Sequence, residues 1–247
     1  MNRLIVVLPL LLAMPAALAS AGGDGIMLSA PNDVGNVASL QRGARNFVNY
    51  CLGCHSAKFV RYNRVATDLG IAESDLAENL MWTAEKPHQT MDVAMPPGDA
   101  TRWFGRAPPD LSLIARSRGT DWLYTYMKSF YVDADGVFGV NNILLPGASM
   151  PNVLWELEGS KSAVFEEVVD ADGNRHESFA GFQPLQAGNL SAEEFDHFVV
   201  DLVNFLDYIG EPMQLRRQSL GIRVIAYLLV FLLLAFALKK EYWKDVH

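Results

Sequence analysis

The chain has 247 residues, with 20 Lys and Arg against 28 Asp and Glu, a formal net charge of −8, and half of its residues are apolar. That apolar content excludes a disordered chain, and the acidic balance excludes a general nucleic-acid binder, which needs a basic face toward phosphate. Only two cysteines occur, Cys51 and Cys54, too close together to staple a fold of this size, so the composition suits one soluble domain with a membrane-bound segment attached.

In chain order, Arg3 precedes an apolar stretch from Leu4 to Leu18, and Ala17-Leu18-Ala19 forms a small-residue cleavage pattern before Ser20. This pattern predicts a secretory signal peptide over 1–19 rather than a retained anchor, for which the run is short. Next, Leu40, Ala44, Phe47, Val48 and Cys51 recur at helical spacing, with Gln41, Arg42, Arg45 and Asn49 on the other side. They predict an amphipathic helix ending in Cys51-Leu52-Gly53-Cys54-His55.

On such a helix end Cys51 and Cys54 share a face, and His55 follows at i+4 from Cys51. Both thiols can then bond the edge of one porphyrin while the imidazole reaches its iron, which is the content of the c-type haem attachment signature. Thioredoxin-like chemistry would want a βαβ context, and a zinc site a fourth ligand; neither is evident. A haem in an electron carrier also needs a second axial ligand, and a thioether stabilises ferrous iron. Two methionines precede prolines: Met95, 40 residues past His55, and Met150, 95 past it. Spacing alone leaves both open. Met81, Met91 and Met127 are expected in the pocket or core, and His88, His176 and His197, which could make a bis-imidazole site, at the surface.

Further on, Trp122, Leu123, Tyr126, Met127 and Phe130 predict a short helix over 121–130 that buries aromatics near the pocket. Residues Val168 to Arg175 predict a strand and turn; their acidic pair misses the spacing of a calcium-binding loop, so a hairpin is the better reading. Ser191-Ala192-Glu193-Glu194 is a capping-box pattern opening a helix with Phe195, Phe198, Val199, Leu202, Leu206 and Ile209 on one stripe, stopped by Gly210 and Pro212. Leu220 to Leu238 is long and apolar enough for one bilayer-crossing helix, with Arg223 placed where it can snorkel.

With an exported N-terminus, residues 20–215 lie outside the cytoplasm, 216–238 form the anchor and 239–247 a cytoplasmic tail whose lysines follow the positive-inside rule. Setting aside Arg3 and the net +4 of residues 216–247 leaves a formal charge of −13 on the exported part. That charge suits either a generally solvated surface or a face that docks basic proteins.

The order of CLGCH at 51–55, Pro108-Pro109-Asp110-Leu111-Ser112, Arg116, Gly147 to Pro151 and the single C-terminal span resembles the cytochrome c1 family, over nearly the whole mature chain. The resemblance implies a mainly α fold, a class I cytochrome c-like haem domain with inserted loops and a small hairpin, plus one C-terminal transmembrane helix. It implies one covalent haem c on Cys51 and Cys54, with His55 as proximal ligand and Met150, over Met95, as distal ligand. The segment containing Pro109 would line the haem pocket and Arg116 would face a propionate. It further implies cytochrome b and the Rieske iron–sulfur protein as partners, cytochrome c as electron acceptor, and a dimer of the whole quinol–cytochrome c reductase complex. In a bacterial source the site is the inner membrane, haem domain on the periplasmic side, and no substrate bond is made or broken on this chain. Unlike larger family members it has no cysteine pair for an extra disulfide. Two other roles keep the haem: an anchored cytochrome donating to a terminal oxidase with Met95 as ligand, and a haem-delivery protein with an open axial position.

Overall fold

The computed structural model describes residues 26–169 and 174–245. The expected signal peptide over 1–19 and the turn within the predicted hairpin fall outside the described residues. About half of the described chain is helical.

Helix α1 (Val37–Tyr50) starts where the Asn36 side chain accepts a hydrogen bond from the Ser39 amide at 3.1 Å. Its Leu40, Ala44, Phe47 and Val48 are buried, as the 3.6-residue spacing requires. Strand β1 (Ala57–Arg61) follows and pairs antiparallel with the short β2 (Thr90–Met91), with α2 (Tyr62–Leu69) and α3 (Glu73–Asn79) between them. Pro97 opens α4 (Pro97–Phe104), a position at which a proline's missing N–H costs nothing. Two short helices come next, α5 (Ile114–Arg118) and α6 (Thr120–Lys128), and then the antiparallel pair β3 (Phe130–Val132) and β4 (Val140–Asn142).

The helix expected over 121–130 thus ends at Lys128, and Phe130 turns into a strand. Side chains take over the last carbonyls: Ser129 Oγ donates to the Thr125 carbonyl at 2.7 Å and Asn142 Nδ2 to the Tyr126 carbonyl at 2.8 Å. Such bonds satisfy a helix C-terminus without another turn.

A single turn, α7 (Trp155–Glu158), leads into the antiparallel hairpin of β5 (Gly159–Val169) and β6 (Arg175–Ala187). Its strands of 11 and 13 residues make it much longer than the small hairpin expected from its tip. Most of its positions are at least partly exposed on both faces, so burial imposes no alternation that a sequence reader could follow.

Helix α8 (Ala192–Gly210) carries the predicted capping box in full, Ser191 Oγ accepting from the Glu194 amide and the Glu194 carboxylate from the Ser191 amide. It crosses α1 at close range. A Cβ on Gly43 would lie 2.0 Å from the Asp201 carbonyl oxygen, so the absence of a side chain there sets how near the helices come. Around that point Phe47, Val199, Leu202 and Phe205 are fully buried, the two phenylalanine rings 5.5 Å apart. Beside them, Asp201 accepts from Ser39 Oγ at 2.6 Å and from Arg42 at 2.6 and 2.8 Å, so the buried carboxylate is paired. Helices α5 and α6 also lie against α8.

Helix α9 (Gln214–Tyr242) differs from all of these. It is 29 residues long, about 44 Å at 1.5 Å per residue, with a mean hydropathy of 2.5 over its most apolar stretch. None of it is buried in the protein. A core helix of that hydropathy would be covered, so α9 has the form of a membrane anchor.

Candidate functional site

Beyond α1 the chain makes one more tight turn: the Cys54 and His55 amides both donate to the Cys51 carbonyl, at 3.0 and 2.8 Å. Cys51 is buried and Cys54 partly so, and neither is in a disulfide. Burial pushes the Cys51 thiol up to about 12, with its neighbour Cys54 adding to the shift, and burial also raises Cys54. A redox-cycling dithiol has the opposite property, a lowered thiol, so the structure gives the thioredoxin-like reading no support.

The segment Pro108 to Ser112 closes over this turn through backbone carbonyls and amides together with the Asp110 and Ser112 side chains. The His55 Nδ1–H donates to the Pro109 carbonyl at 2.8 Å. A carbonyl can only accept, so the proton sits on Nδ1 and the Nε2 lone pair is left for a metal. Burial lowers the His55 pKa against the raising influence of that carbonyl and of Asp110, which favours the neutral ring that iron ligation requires. Asp110 accepts from the Lys58 amide at 2.8 Å and the Ser112 amide at 2.9 Å; Leu111 N donates to the Ser56 carbonyl at 2.7 Å; Ser112 Oγ, fully buried, accepts from the Phe59 amide at 3.1 Å. Pro109 is thereby tied to the histidine of CLGCH, and Asp110, Leu111 and Ser112 to Lys58, Ser56 and Phe59 just beyond it.

The two candidate methionines occupy different settings. Met95 lines a cavity of about 240 Å³ together with Cys54, Lys58, Asp92, Pro108 and Asp110. Met150 packs against the hydrophobic core that includes Cys51, and its Sδ lies 3.6 Å from the Tyr126 hydroxyl. Tyr126 is a residue whose part in the site was not visible in the sequence beyond its place on an apolar helix face. Its ring stacks on Trp122 at 4.8 Å and meets Phe130 edge-on at 5.1 Å, and burial pushes its phenol up to about 12, so it stays protonated. A larger cavity of about 440 Å³, between α2, α3 and the His88 loop, touches none of the predicted site residues. Met81, Met91 and Met127 are buried and His88, His176 and His197 exposed, as expected.

Arg116 and Arg118 stand two residues apart on α5, hence on opposite faces. Arg116 forms an ion pair with Glu211 at the end of α8. Arg118 lies 5.1 Å over the Trp122 ring and makes no ion pair among the described residues.

Two sulfurs one turn apart, an imidazole with its far nitrogen presented, and a thioether in an apolar setting are the donor set that a covalent haem requires, so the residues fit that group. No group of three or more metal-ligating His, Cys, Asp or Glu residues competes with it among the described residues.

Comparison with known proteins agrees. The chain matches the model of the Cytochrome C1 family over residues 30–246. It is 48% identical to a cytochrome c1 of Allochromatium vinosum over 247 residues, all of both chains. It is 42% identical over 246 residues to a Nitrosomonas europaea protein named ammonia monooxygenase gamma subunit, covering 99% of this chain and all of that one. A Rhodospirillum rubrum cytochrome c1 is 26% identical over 239 residues, covering 84% of this chain and 81% of that one. The chain belongs to the cytochrome c1 family, the haem c electron-transfer subunits of the cytochrome bc1 complex.

Proposed function

We propose that within a quinol–cytochrome c reductase (complex III) this chain takes one electron from the Rieske iron–sulfur protein and passes it to a cytochrome c. The observation that carries the reading is the His55 imidazole held by the Pro109 carbonyl directly after the two buried cysteines, in a chain of this family. Haem c, when bound, supplies reversible one-electron chemistry at iron. Every other task falls to the chain. Cys51 and Cys54 hold the macrocycle edge, and the Pro109 carbonyl sets the tautomer and angle of His55, the proximal ligand. Met150 is the distal ligand. Its sulfur lies against the apolar core, a setting that favours the ferrous state, whereas Met95 is not among the side chains packed there.

A propionate needs a guanidinium partner, and Arg116 and Arg118 are the two at hand. Arg116 already gives Nη1 to Glu211, while Arg118, over the Trp122 ring, makes no ion pair among the described residues. We assign the propionate to Arg118 and, to Arg116, the coupling of α5 to the entrance of the anchor.

The close crossing of α1 and α8 beside CLGCH supports a class I cytochrome c-like core, with the β5–β6 hairpin as its largest insertion. In this reading residues 1–19 are a signal peptide, 20–215 the exported haem domain, 216–238 the anchor and 239–247 the tail. The haem domain faces the periplasm from a bacterial inner membrane, beside cytochrome b and the Rieske protein, in a dimer of the whole complex. Its net acidic charge speeds encounter with a basic cytochrome c.

The name of the Nitrosomonas relative supplies a second reading, a subunit of a monooxygenase. The two differ in which proteins accompany the chain. For the site itself, the test is Met150→Leu against Met95→Leu in the solubilised protein, read by the ferric sulfur-to-iron charge-transfer band. Loss of the band in Met150→Leu alone is expected; loss in Met95→Leu alone contradicts the ligand assignment.

A further inference from the structure

We infer that Tyr126 is a positioning residue for the Met150 thioether, its hydroxyl donating to one lone pair of Sδ and leaving the other for iron. The inference rests on Met150 being the distal ligand. The phenol oxygen lies 3.6 Å from Sδ, within the range of a hydrogen bond to sulfur, and Met150 is its one hydrogen-bond partner among the described residues. The ring has little freedom to turn away, because Trp122 stacks on it with planes 10° apart and Phe130 closes its edge.

One buried side chain bonds both the Tyr126 backbone and the start of the Met150 loop. Asn142 is fully buried; its Nδ2 holds the Tyr126 carbonyl at 2.8 Å, and its Oδ1 accepts from the Leu144 amide at 2.9 Å, at the start of the loop that leads to Met150. Asn141 holds that loop again, Oδ1 accepting from the Gly147 amide at 2.8 Å, where Gly147 adopts φ +73, a conformation open to glycine. The end of α6 and the methionine loop are therefore tied together through β4, and the O–H···S contact is a consequence of that tie.

A thioether that accepts a hydrogen bond has less electron density to give. Ferric iron depends on that donation more than ferrous iron does, so the contact favours the reduced state. Removing the hydroxyl while keeping the ring should make reduction harder, with no loss of ligation.

The test uses the detergent-solubilised complex and two readouts, the ferric sulfur-to-iron charge-transfer band and an equilibrium redox titration. In Tyr126→Phe the band is expected to persist at a shifted energy, and the equilibrium constant for reduction to fall about two- to fivefold, the scale of one modest hydrogen bond. Phe130→Leu loosens the same packing but keeps the hydroxyl, and should leave the constant unchanged. An unchanged band and constant in Tyr126→Phe, or an equal fall in Phe130→Leu, would overturn the inference and reduce Tyr126 to packing. Met150→Leu is run in parallel: if it keeps the band, the ligand assignment itself is what has failed, and the inference falls with it.

Discussion

Replacing Gly43 by alanine adds a single methyl group at the point where α1 and α8 touch. Its Cβ would stand 2.0 Å from the Asp201 carbonyl oxygen and 2.7 Å from Phe205 Cβ, where ordinary contact begins near 3.4 Å. Helix α8 must retreat locally by about 1.4 Å, the difference between those distances, because a helix carbonyl has no rotamer in which to escape. The retreat unseats Phe47 from Phe205 and stretches the Ser39–Asp201–Arg42 bonds, now 2.6 to 2.8 Å. Overpacking costs about 1–3 kcal/mol, and with backbone on one side the upper end applies. Alanine returns about 1 kcal/mol as the better helix former, leaving a net loss of about 2 kcal/mol, or a melting point lower by about 4–8 °C at this size. Thermal unfolding of the solubilised protein, followed by far-ultraviolet circular dichroism, measures it. Gly98→Ala is the control: it lies in α4 with nothing within 4 Å of its Cβ, and should melt at or above the parent temperature. A Gly43→Ala protein that melts with the parent would refute the claim that this crossing sets the haem-bearing helix.

Three further outcomes follow from the same geometry. Arg118→Ala should lower the midpoint potential, because a cation beside a propionate disfavours the additional charge of ferric iron, while Arg116→Ala should leave it unchanged and, as a partly exposed pair with Glu211, alter stability by less than about 1 kcal/mol; spectroelectrochemical titration of both variants compares them. Burial raises the Asp196 pKa, but hydrogen bonds from Lys128 and Tyr124 outweigh it and leave the carboxyl below its ordinary value. The stability it adds between α6 and α8 is therefore complete above about pH 4, the ordinary aspartate value, and is lost as pH falls through the depressed one; an Asp196→Asn variant should lack this acid-dependent loss in urea titrations. Electron transfer to a basic cytochrome c should slow as salt rises, and a rate independent of ionic strength in stopped-flow mixing would count against steering by the acidic domain.

What could be read in the sequence was local. The stripes of α1 and α8 and the Ser191 capping box depend on spacings of three and four residues, and each forms as read. CLGCH carries its chemistry within five positions. Much of the rest depends on the chain meeting itself again. The bond from His55 to Pro109 spans 54 residues and ends on a backbone carbonyl, which no residue identity encodes. Tyr126 and Met150 meet because Asn142 ties a helix end to a distant loop, and an asparagine gives no sign of that task in advance. Arg116 and Arg118 could be told apart only once α5 placed them on opposite faces. Pro96 follows Met95 as Pro151 follows Met150, yet Pro97 beside it serves to open α4. The hairpin is legible at its tip, but its length is not, because its strands bury almost nothing.

The central claim is that this chain carries electrons inside a quinol–cytochrome c reductase, and its company in the membrane tests that most directly. The protein is tagged, extracted from native membranes in mild detergent, and its partners are identified and quantified by mass spectrometry. A multi-span cytochrome b and a Rieske protein in amounts equal to the tagged chain are the predicted result. Oxidase or monooxygenase subunits in their place, or no stable partner, would contradict it.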